Sequence, residues 1–262
     1  MNRELSAGRT VVIVTGASSG IGCETRLAFA RAGARVVLAA RNAARLAQLA
    51  VTQPDRLLAV PTDVTRDDEV ANLVQRTVAV YGRIDILVNN AGIGLRALVA
   101  DTRPVDAQRV MEVNFFGALR CIQAVLPVLR QQGTGQIVNV GSVLSLIATP
   151  RNSIYSASKF ALRALSDSLR IELQPAGIGV VLVMPGYTDT PFFDNQLRAG
   201  GPVRISSIKG QSPQLVAQAI VRACRRQQRE VVLTAAGKIG VLTKKFAPRW
   251  LDWALARSRH NP

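Results

Sequence analysis

The sequence predicts an α/β protein with a doubly wound parallel sheet of about seven strands and helices on both faces. Two observations predict this class: short β-branched and aliphatic runs recur along the chain, and longer segments between them carry apolar residues at three- and four-residue spacing. Strands covered on both faces are almost continuously apolar, and alternation of strands with helices is typical of parallel sheets. No repeat, linker or break in composition divides the chain, so residues 1–262 are predicted to form one domain.

The elements follow from these patterns in chain order. The predicted strands are residues 10–15, 34–40, 57–61, 84–88, 136–140, 179–184 and 231–233. Two helical stripes are Val70, Leu73, Val74, Thr77 and Val78, and then Leu162, Leu165, Leu169 and Leu173. Predicted helix caps are Asp67 and Asp68 before Glu69, and Ser212 before Pro213.

The composition supports a sizeable core and excludes several classes of protein. Hydrophobic residues make up 48% of the chain and charged residues 19%, so disorder is not expected. The one histidine, His260, cannot build a histidine-based zinc site or a Ser-His-Asp hydrolase, and no metal site is predicted. Cys23, Cys121 and Cys224 are scattered along the chain and suit a reducing compartment. The first residues contain no apolar signal-peptide core, and no uncharged run reaches about 18 residues. These observations predict a cytoplasmic protein.

A glycine-rich turn, residues 15–22, follows the first predicted strand and precedes a helix. Glycines there suit a tight turn, close approach of the backbone to a pyrophosphate, and packing of the helix on the strand. The helix N-terminus offers free N–H groups and a partial positive charge to phosphates. The turn therefore predicts a Rossmann-like dinucleotide site that uses Gly16, Ser18, Ser19, Gly20, Ile21 and Gly22.

The end of the second predicted strand indicates which dinucleotide binds. An NAD site usually has an acidic residue about 20 positions beyond the glycines, on the ribose 2′-hydroxyl. Here Ala39 and Ala40 supply no carboxylate, and Arg41 and Asn42 follow. A guanidinium suits a 2′-phosphate through charge-assisted hydrogen bonds. A solvated surface arginine is the alternative, but the sequence favours NADP(H) over NAD(H).

Tyr155 and Lys159 form a YxxxK pattern at the start of the second leucine-striped helix. The i,i+4 spacing puts the phenol and the ammonium on one face of the helix. A nearby cation favours the phenolate and lowers a tyrosine pKa that is ordinarily near 10. Tyr155 is therefore predicted to be a general acid for a carbonyl oxygen, or a base in the reverse direction.

Several motifs in register resemble the short-chain dehydrogenase/reductase (SDR) family over about residues 8–192. They are residues 15–22, Asp63 with Val64, Asn89 to Gly92, Asn114, Ser142, Tyr155, Lys159, Pro185 with Gly186, and Thr190. The resemblance implies an NAD(P)-dependent oxidoreductase in which the cofactor supplies the hydride and the protein supplies orientation and a proton.

The same resemblance implies a role for each matching residue. Ser142 would hydrogen-bond the substrate oxygen, Tyr155 would carry the proton, Lys159 would bind the nicotinamide ribose and lower the tyrosine pKa, and Asn114 would hold a relay water. The remaining cofactor contacts would come from Asp63, Val64, Asn90, Ala91, Gly92, Pro185, Gly186, the Tyr187 and Thr188 backbone, and the Thr190 side chain.

Two departures from the family pattern concern catalysis and assembly. Gly141 stands where many members have a second serine, although Ser142 is still in register. The chain also lacks the C-terminal Asp-Gly-Gly ending typical of tetrameric members such as the 3-oxoacyl carrier-protein reductases. A homodimer or homo-oligomer is predicted, without a tetramer being specified.

Residues 192–211 follow the predicted cofactor segment and hold Gly200, Gly201 and Pro202, which predicts a mobile substrate lid. Phe192, Phe193, Leu197 and Ile205 would make its inner face apolar or simply anchor it, and Leu144, Leu146 and Ile147 would add to an apolar pocket. The predicted substrate is therefore a hydrophobic ketone, aldehyde or secondary alcohol.

The charge of +16 is concentrated at the C-terminal end of the chain. From Arg198 onward there are 13 lysines and arginines but two acidic residues. Residues 238–262 combine these bases with Trp250 and Trp253, and Pro248 interrupts any single helix. The segment is predicted to pack its tryptophans on the domain, with peripheral membrane contact as the alternative. No nucleic acid partner is predicted, because no recognition motif accompanies the charge.

Together these observations predict an NADP(H)-dependent oxidoreductase that interconverts a small-molecule carbonyl and an alcohol, with Asn114, Ser142, Tyr155 and Lys159 at its centre. The alternative is a non-catalytic NADP-binding sensor or scaffold on the same fold. The sequence leaves open the substrate, the direction of the reaction in cells and the oligomeric state.

Overall fold

A computed structural model describes residues 8–199 and 210–257 and contains a seven-stranded, entirely parallel sheet. Its strands are β1 (Val11–Thr15), β2 (Arg35–Ala40), β3 (Leu57–Pro61), β4 (Ile86–Asn89), β6 (Gly135–Val140), β7 (Ile178–Met184) and β9 (Glu230–Val232). The spatial order is β3-β2-β1-β4-β6-β7-β9. The predicted fold class is confirmed, and the predicted strand ends differ from these by at most two residues.

A second, two-stranded parallel sheet lies outside the main one. It pairs β5 (Leu95–Arg96) with β8 (Leu197–Arg198), so that Leu95 lies opposite Leu197 and Arg96 opposite Arg198. Strands of two residues have no detectable periodicity, and the sequence did not predict them. This pairing connects β8, which lies within the predicted lid, to the segment that follows β4.

Nine α-helices lie between and after the strands in the described part of the chain. They are α1 (Gly20–Arg31), α2 (Ala43–Ala50), α3 (Asp67–Tyr81), α4 (Pro104–Met111), α5 (Gly117–Gln132), α6 (Ser153–Glu172), α7 (Pro213–Arg225), α8 (Ala235–Phe246) and α9 (Pro248–Arg257). A π-helical turn, Glu112–Phe116, joins α4 to α5 without a break.

The predicted caps have different outcomes. Ser212 caps α7, because its side chain accepts a hydrogen bond from the Leu215 N–H. Asp67 and Asp68 are not caps: α3 begins at Asp67, and Arg66 is the extended residue that precedes it. The two carboxylates instead lie in the first helical turn, where they interact favourably with the positive end of the helix dipole.

Alternation along each strand divides the core between the two faces of the sheet. Val12 and Val14 of β1 pack on the face covered by α1, α2 and α7. Val11 and Ile13 pack on the opposite face, against α3, α5 and α6. This arrangement accounts for the unbroken apolar runs, since every strand residue meets a helix layer.

Residues 104–132 form the one described helical stretch that is long and apolar enough to cross a membrane by length and composition. Its residues Ile122, Val125 and Leu129 are fully buried against the sheet. The apolar face of this stretch is therefore part of the protein core.

The order of strands reverses beside β1, which has β2 on one side and β4 on the other. The loops that follow β1 and β4 therefore leave the sheet in opposite directions and open a crevice at the carboxyl ends of the strands. Ligands of doubly wound sheets bind at this switch point.

Candidate active site

A continuous cleft of about 2620 Å³ runs along the carboxyl ends of the strands in the described part of the chain. It is lined by the segments that follow β1, β2, β3, β4, β6 and β7. Of the residues predicted for the site, Gly22 and Asn114 do not line it. Both lie directly behind residues that do.

The glycine turn adopts a backbone conformation that side chains would prevent. Gly16 has φ +66° and Gly20 has φ +52°, both in the left-handed region. A Cβ on Gly22 would overlap the carbonyl oxygen of Gly16. Asn90 fixes the turn to the end of β4, because its Nδ2 donates to Thr15 O at 2.9 Å and to Gly16 O at 3.3 Å.

The turn opens directly onto the N-terminus of α1. Ser19 precedes the helix in an extended conformation, and its side chain makes no capping hydrogen bond. Ser18, Ser19, Gly20 and Ile21 all line the cleft. Helix N–H groups beside a backbone free of side chains fit the pyrophosphate of a dinucleotide.

The segments that follow β2 and β3 enclose the other end of the cleft. Arg41 is exposed and makes no ion pair with the residues that the structure describes. Asn42 is the N-cap of α2, since its side chain accepts from the Arg45 N–H at 2.9 Å. Asp63 Oδ1 accepts from the Thr65 N–H at 3.0 Å, which holds the carboxylate beside Val64 at the cleft wall.

Ser142, Tyr155 and Lys159 come together from two elements. Ser142 follows β6, and its Oγ accepts from the Leu144 N–H at 3.1 Å. Tyr155 and Lys159 lie on the first turns of α6, and Tyr155 is hydrogen-bonded to Ser142. The Lys159 Nζ donates to Val140 O at 2.9 Å and lies 5.7 Å from the centroid of the Tyr155 ring.

Burial shifts the pKa values of this pair away from their ordinary range. It raises the pKa of Tyr155 to about 12, and the hydrogen bond with Ser142 opposes the shift without cancelling it. Burial also lowers the pKa of Lys159 to about 8. Lys159 is not among the causes of the shift at Tyr155, so the predicted lowering of the tyrosine pKa by Lys159 stays a prediction.

Gly141 has a packing reason for lacking a side chain. A Cβ at this position would lie 2.9 Å from Ser145 Oγ and 3.1 Å from Leu182 Cδ1. Ser145 is fully buried, and its Oγ accepts from the Ser142 N–H at 3.1 Å. The departure at Gly141 thus leaves the position of Ser142 intact.

Asn114 lies behind the cleft, in the π-helical turn, and is 1% exposed. Its Oδ1 accepts from the Ile93 N–H at 2.8 Å, and its Nδ2 donates to Ile93 O at 2.9 Å and Ser158 Oγ at 3.0 Å. These bonds join the loop after β4 to α6. The predicted contact with a relay water stays a prediction.

The segment after β7 reaches back to the glycine turn. Pro185, Gly186, Thr188 and Thr190 line the cleft, and an added Cβ on Gly20 would lie 3.1 Å from Thr190 Cβ. The Thr188 Oγ1 donates to Gly186 O at 3.1 Å. This segment therefore lies between the turn and Tyr155, where the nicotinamide end of a dinucleotide would bind.

The described part of the predicted lid contacts Tyr155. The Phe192 ring centroid lies 5.7 Å from that of Tyr155, and Phe193 packs on Tyr187 at 4.4 Å. Leu197 pairs with Leu95 in the small sheet. Ile205, Gly200, Gly201 and Pro202 lie outside the described residues, so the predicted lid motion stays a prediction.

The C-terminal helices contact the domain through different residues from those predicted. Leu251 and Leu255 pack against Leu146 and Ile147, and Leu255 reaches the cleft. Trp250 and Trp253 are 59% and 50% exposed, so the prediction that the tryptophans pack on the domain is wrong. The helix turns its leucines inward instead. Pro248 separates α8 from α9, as the sequence predicted.

Three arginines that line the cleft were missed by the sequence analysis: Arg96, Arg109 and Arg151. No motif contains them, and their positions depend on the small sheet, on α4 and on the loop before α6. Arg151 has φ +65°, which is uncommon for a residue with a side chain.

Comparisons with known proteins agree with this arrangement. A sequence profile described as short chain dehydrogenase matches residues 10–200. The chain is 36% identical over 259 residues to a Drosophila melanogaster protein named dehydrogenase/reductase SDR family protein 7-like, covering 94% of this chain and 79% of that protein.

Two solved structures are similar over most of their length. A short chain dehydrogenase/reductase from Burkholderia phymatum, in complex with NAD, is 25% identical with a TM-score of 0.86, covering 95% of this chain and 96% of that chain. An alcohol dehydrogenase from Thermococcus sibiricus, complexed with 5-hydroxy-NADP, is 27% identical with a TM-score of 0.76, covering 86% and 95%.

Proposed function

Because the chain belongs to the short-chain dehydrogenase/reductase family and is thus an NAD(P)-dependent oxidoreductase, we propose that it interconverts a carbonyl and an alcohol with Tyr155 as the proton carrier. The observation that supports this most is that Ser142, Tyr155 and Lys159 line the same cleft as the glycine turn. A nicotinamide cofactor bound along that turn and the Tyr155 phenol would then face the same substrate carbonyl group.

The chemistry divides between cofactor and protein. A bound nicotinamide supplies or accepts the hydride. Ser142 and Tyr155 hydrogen-bond the substrate oxygen, and in reduction Tyr155 gives its proton to that oxygen as negative charge develops there. Lys159 supplies a cation beside Tyr155, and Asn114 acts indirectly by holding the loop after β4 on α6.

The proposed cofactor is NADP(H). Gly16 and Gly20 leave room for the pyrophosphate, and Asp63, Asn90 and Thr190 line the rest of the cleft in which the cofactor would bind. Arg41, which is exposed and forms no ion pair with a described residue, lies beside Asn42 where β2 ends, and a guanidinium there suits the 2′-phosphate that distinguishes NADP from NAD.

The proposed substrate has an apolar portion. Phe192 and Phe193 line the cleft beside Tyr155, with Val143, Leu144 and Leu255 on neighbouring walls. Burial of alkyl or aryl surface among these side chains would contribute about 25 cal/mol per Å² to binding.

The rival function, a cofactor-binding sensor or scaffold, needs no proton carrier. Tyr155→Phe separates the two, because it removes the transferable proton and keeps the ring that contacts Phe192. We expect turnover of a carbonyl panel, followed by NADPH consumption, to fall at least about a hundredfold, while NADPH affinity is retained. Wild-type protein that binds NADPH and never oxidises it would instead support the sensor.

We also propose that the C-terminal helices contact an anionic membrane surface. Trp250, Trp253 and Phe246 are exposed beside Lys245 and Arg249, and interfacial helices combine aromatic and basic residues in this way. Cytoplasmic location and homo-oligomeric assembly stay predictions.

A further inference from the structure

The small β5–β8 sheet holds an arginine at the wall of the cleft. Leu95 and Ala97 are each 2% exposed and belong to one apolar cluster with Val110. Because side chains alternate along a strand, Arg96 points away from that cluster and lines the cleft. Arg198 lies opposite it in the register.

Arg96 has a buried hydrogen-bond donor that is not used by the described residues. Its Nε is buried and has no hydrogen-bond partner within the described ranges. Burial, and then the charges of Arg151 and Arg198, lower the pKa of its guanidinium. A buried donor without a partner costs free energy, and so do like charges brought together, unless an anion joins them.

Two further arginines line the same cleft. Arg109 comes from α4, and Arg151 is held before α6 by a hydrogen bond from the Ala97 N–H to its carbonyl oxygen at 3.0 Å. The strained φ of Arg151 is the kind of local cost that persists at functional sites. Together, Arg96, Arg109, Arg151 and Arg198 are called the arginine cluster below.

Nearby carboxylates do not neutralise the arginine cluster. Glu112 also lines the cleft, but it pairs with Arg120 at 2.6 Å. Asp106 pairs with Arg103 at 2.6 Å, and the pKa of its carboxyl is lowered by Arg103 and, to a smaller extent, by the charge of Arg109. No ion pair joins Arg96, Arg151 or Arg198 to an acid in the described part of the chain.

The arginine cluster lies on the tyrosine side of the cleft, away from the glycine turn. Gly94, two residues before Arg96, packs against Phe192, which contacts Tyr155. Arg151 precedes Tyr155 by four residues. The glycine turn and Arg41 lie at the other end, beside β1 and β2. The cluster is therefore placed for a group on the substrate.

We propose that the substrate is an amphiphile whose anionic group, a carboxylate or a phosphate, binds the arginine cluster while its apolar portion contacts Phe192 and Phe193. This inference rests on the proposed function and specifies its substrate class. Guanidinium groups bind carboxylate and phosphate oxygens through paired hydrogen bonds, which would use the free Arg96 donor.

The test compares unreactive amphiphiles on the NADPH complex by calorimetry, using octanoate, octyl phosphate and octanol. Octanoate or octyl phosphate should bind at least about tenfold more tightly than octanol, and the tighter of the two identifies the anion. Arg96→Gln and the exposed Arg109→Gln should each weaken the anion about tenfold or more and leave octanol unchanged. Arg31→Gln, at the exposed end of α1, is the matched control and should change neither.

Equal affinity for octanol and both anions would overturn the inference. An anion preference that survives in both Arg96→Gln and Arg109→Gln would overturn it as well. Turnover is measured separately with octanal and 8-oxo-octanoate. Binding of the anions through the arginine cluster without reduction of either aldehyde would support the anion site and contradict the proposed function. The failure of this inference and the failure of the proposed function therefore give different results.

Discussion

At the scale of single residues, Tyr155 and Lys159 differ from their free counterparts because both lose solvation in the fold. The pKa of Tyr155 is raised to about 12 and that of Lys159 is lowered to about 8. At neutral pH the tyrosine is therefore protonated and suited to donate a proton, and the lysine is still mostly charged. Under the proposed mechanism, reduction uses this protonated phenol.

This state predicts opposite pH dependence for the two directions. Reduction should stay nearly constant through neutral pH and fall as pH approaches the tyrosine pKa, because only the protonated form donates. Oxidation needs the phenolate and should rise with pH. Below about pH 8 Lys159 is charged, so Lys159→Met removes a cation beside the phenol and should displace the rise of oxidation in this range to higher pH.

The measurement for this prediction is kcat/KM against pH in both directions for wild type and Lys159→Met. Lys159→Arg, which keeps the charge, is the control. An oxidation limb at the same pH in Lys159→Met would show that the lysine does not influence the tyrosine.

Arg41 gives a second prediction at this scale. Arg41→Ala should weaken NADPH about ten- to hundredfold, the usual worth of charge-assisted hydrogen bonds, and change NADH little, because NADH lacks the 2′-phosphate. Fluorescence titration with both cofactors measures it, and Arg45→Ala on the next helix is the control. Equal losses for the two cofactors would refute the proposed preference.

At the scale of elements, the loop between β6 and α6 is held in place by close packing. Ser142 and Ser145 cap each other's backbone, and Gly141 approaches Ser145 and Leu182 too closely to carry a side chain. The π-helical turn acts in the same way on the other side, where Asn114 joins the loop after β4 to α6. Both devices hold in place segments that line the cleft.

Gly141→Ala tests this packing. The added methyl should cost about 1–3 kcal/mol of unfolding free energy, as overpacking of cores commonly does. Denaturant unfolding measures the loss. Combined with Ser145→Ala, which removes one of the two close contacts, the double variant should lose less than the sum of the single losses. Additive losses would place the strain elsewhere.

At the scale of the whole molecule, the positive charge and the exposed aromatic residues share one region. The 13 bases from Arg198 onward include Arg198 in β8 and Lys244, which donates to Leu146 O at 2.9 Å. The two C-terminal helices thus pack on the domain and leave both tryptophans exposed. Whether residues 1–262 act as one domain stays a prediction.

The exposed face of these helices predicts vesicle binding. The chain should co-sediment with vesicles that contain anionic lipid and less with neutral ones, and the bound fraction should fall as salt screens the charges. Trp250→Ser with Trp253→Ser should reduce binding without unfolding, because neither ring is buried. Equal sedimentation of wild type and double variant would end the membrane proposal.

The sheet, the glycine turn and the YxxxK helix could be predicted from the sequence, because each is encoded within a few neighbouring residues by apolar period, glycine spacing or i,i+4 spacing. Tertiary structure alone decided the raised tyrosine pKa, the inward leucines of α9 and the arginine cluster. These depend on burial and on contacts between residues far apart in the chain, such as Arg96 with Arg198. A pattern read along one segment carries no information about which distant charge or apolar surface will face it.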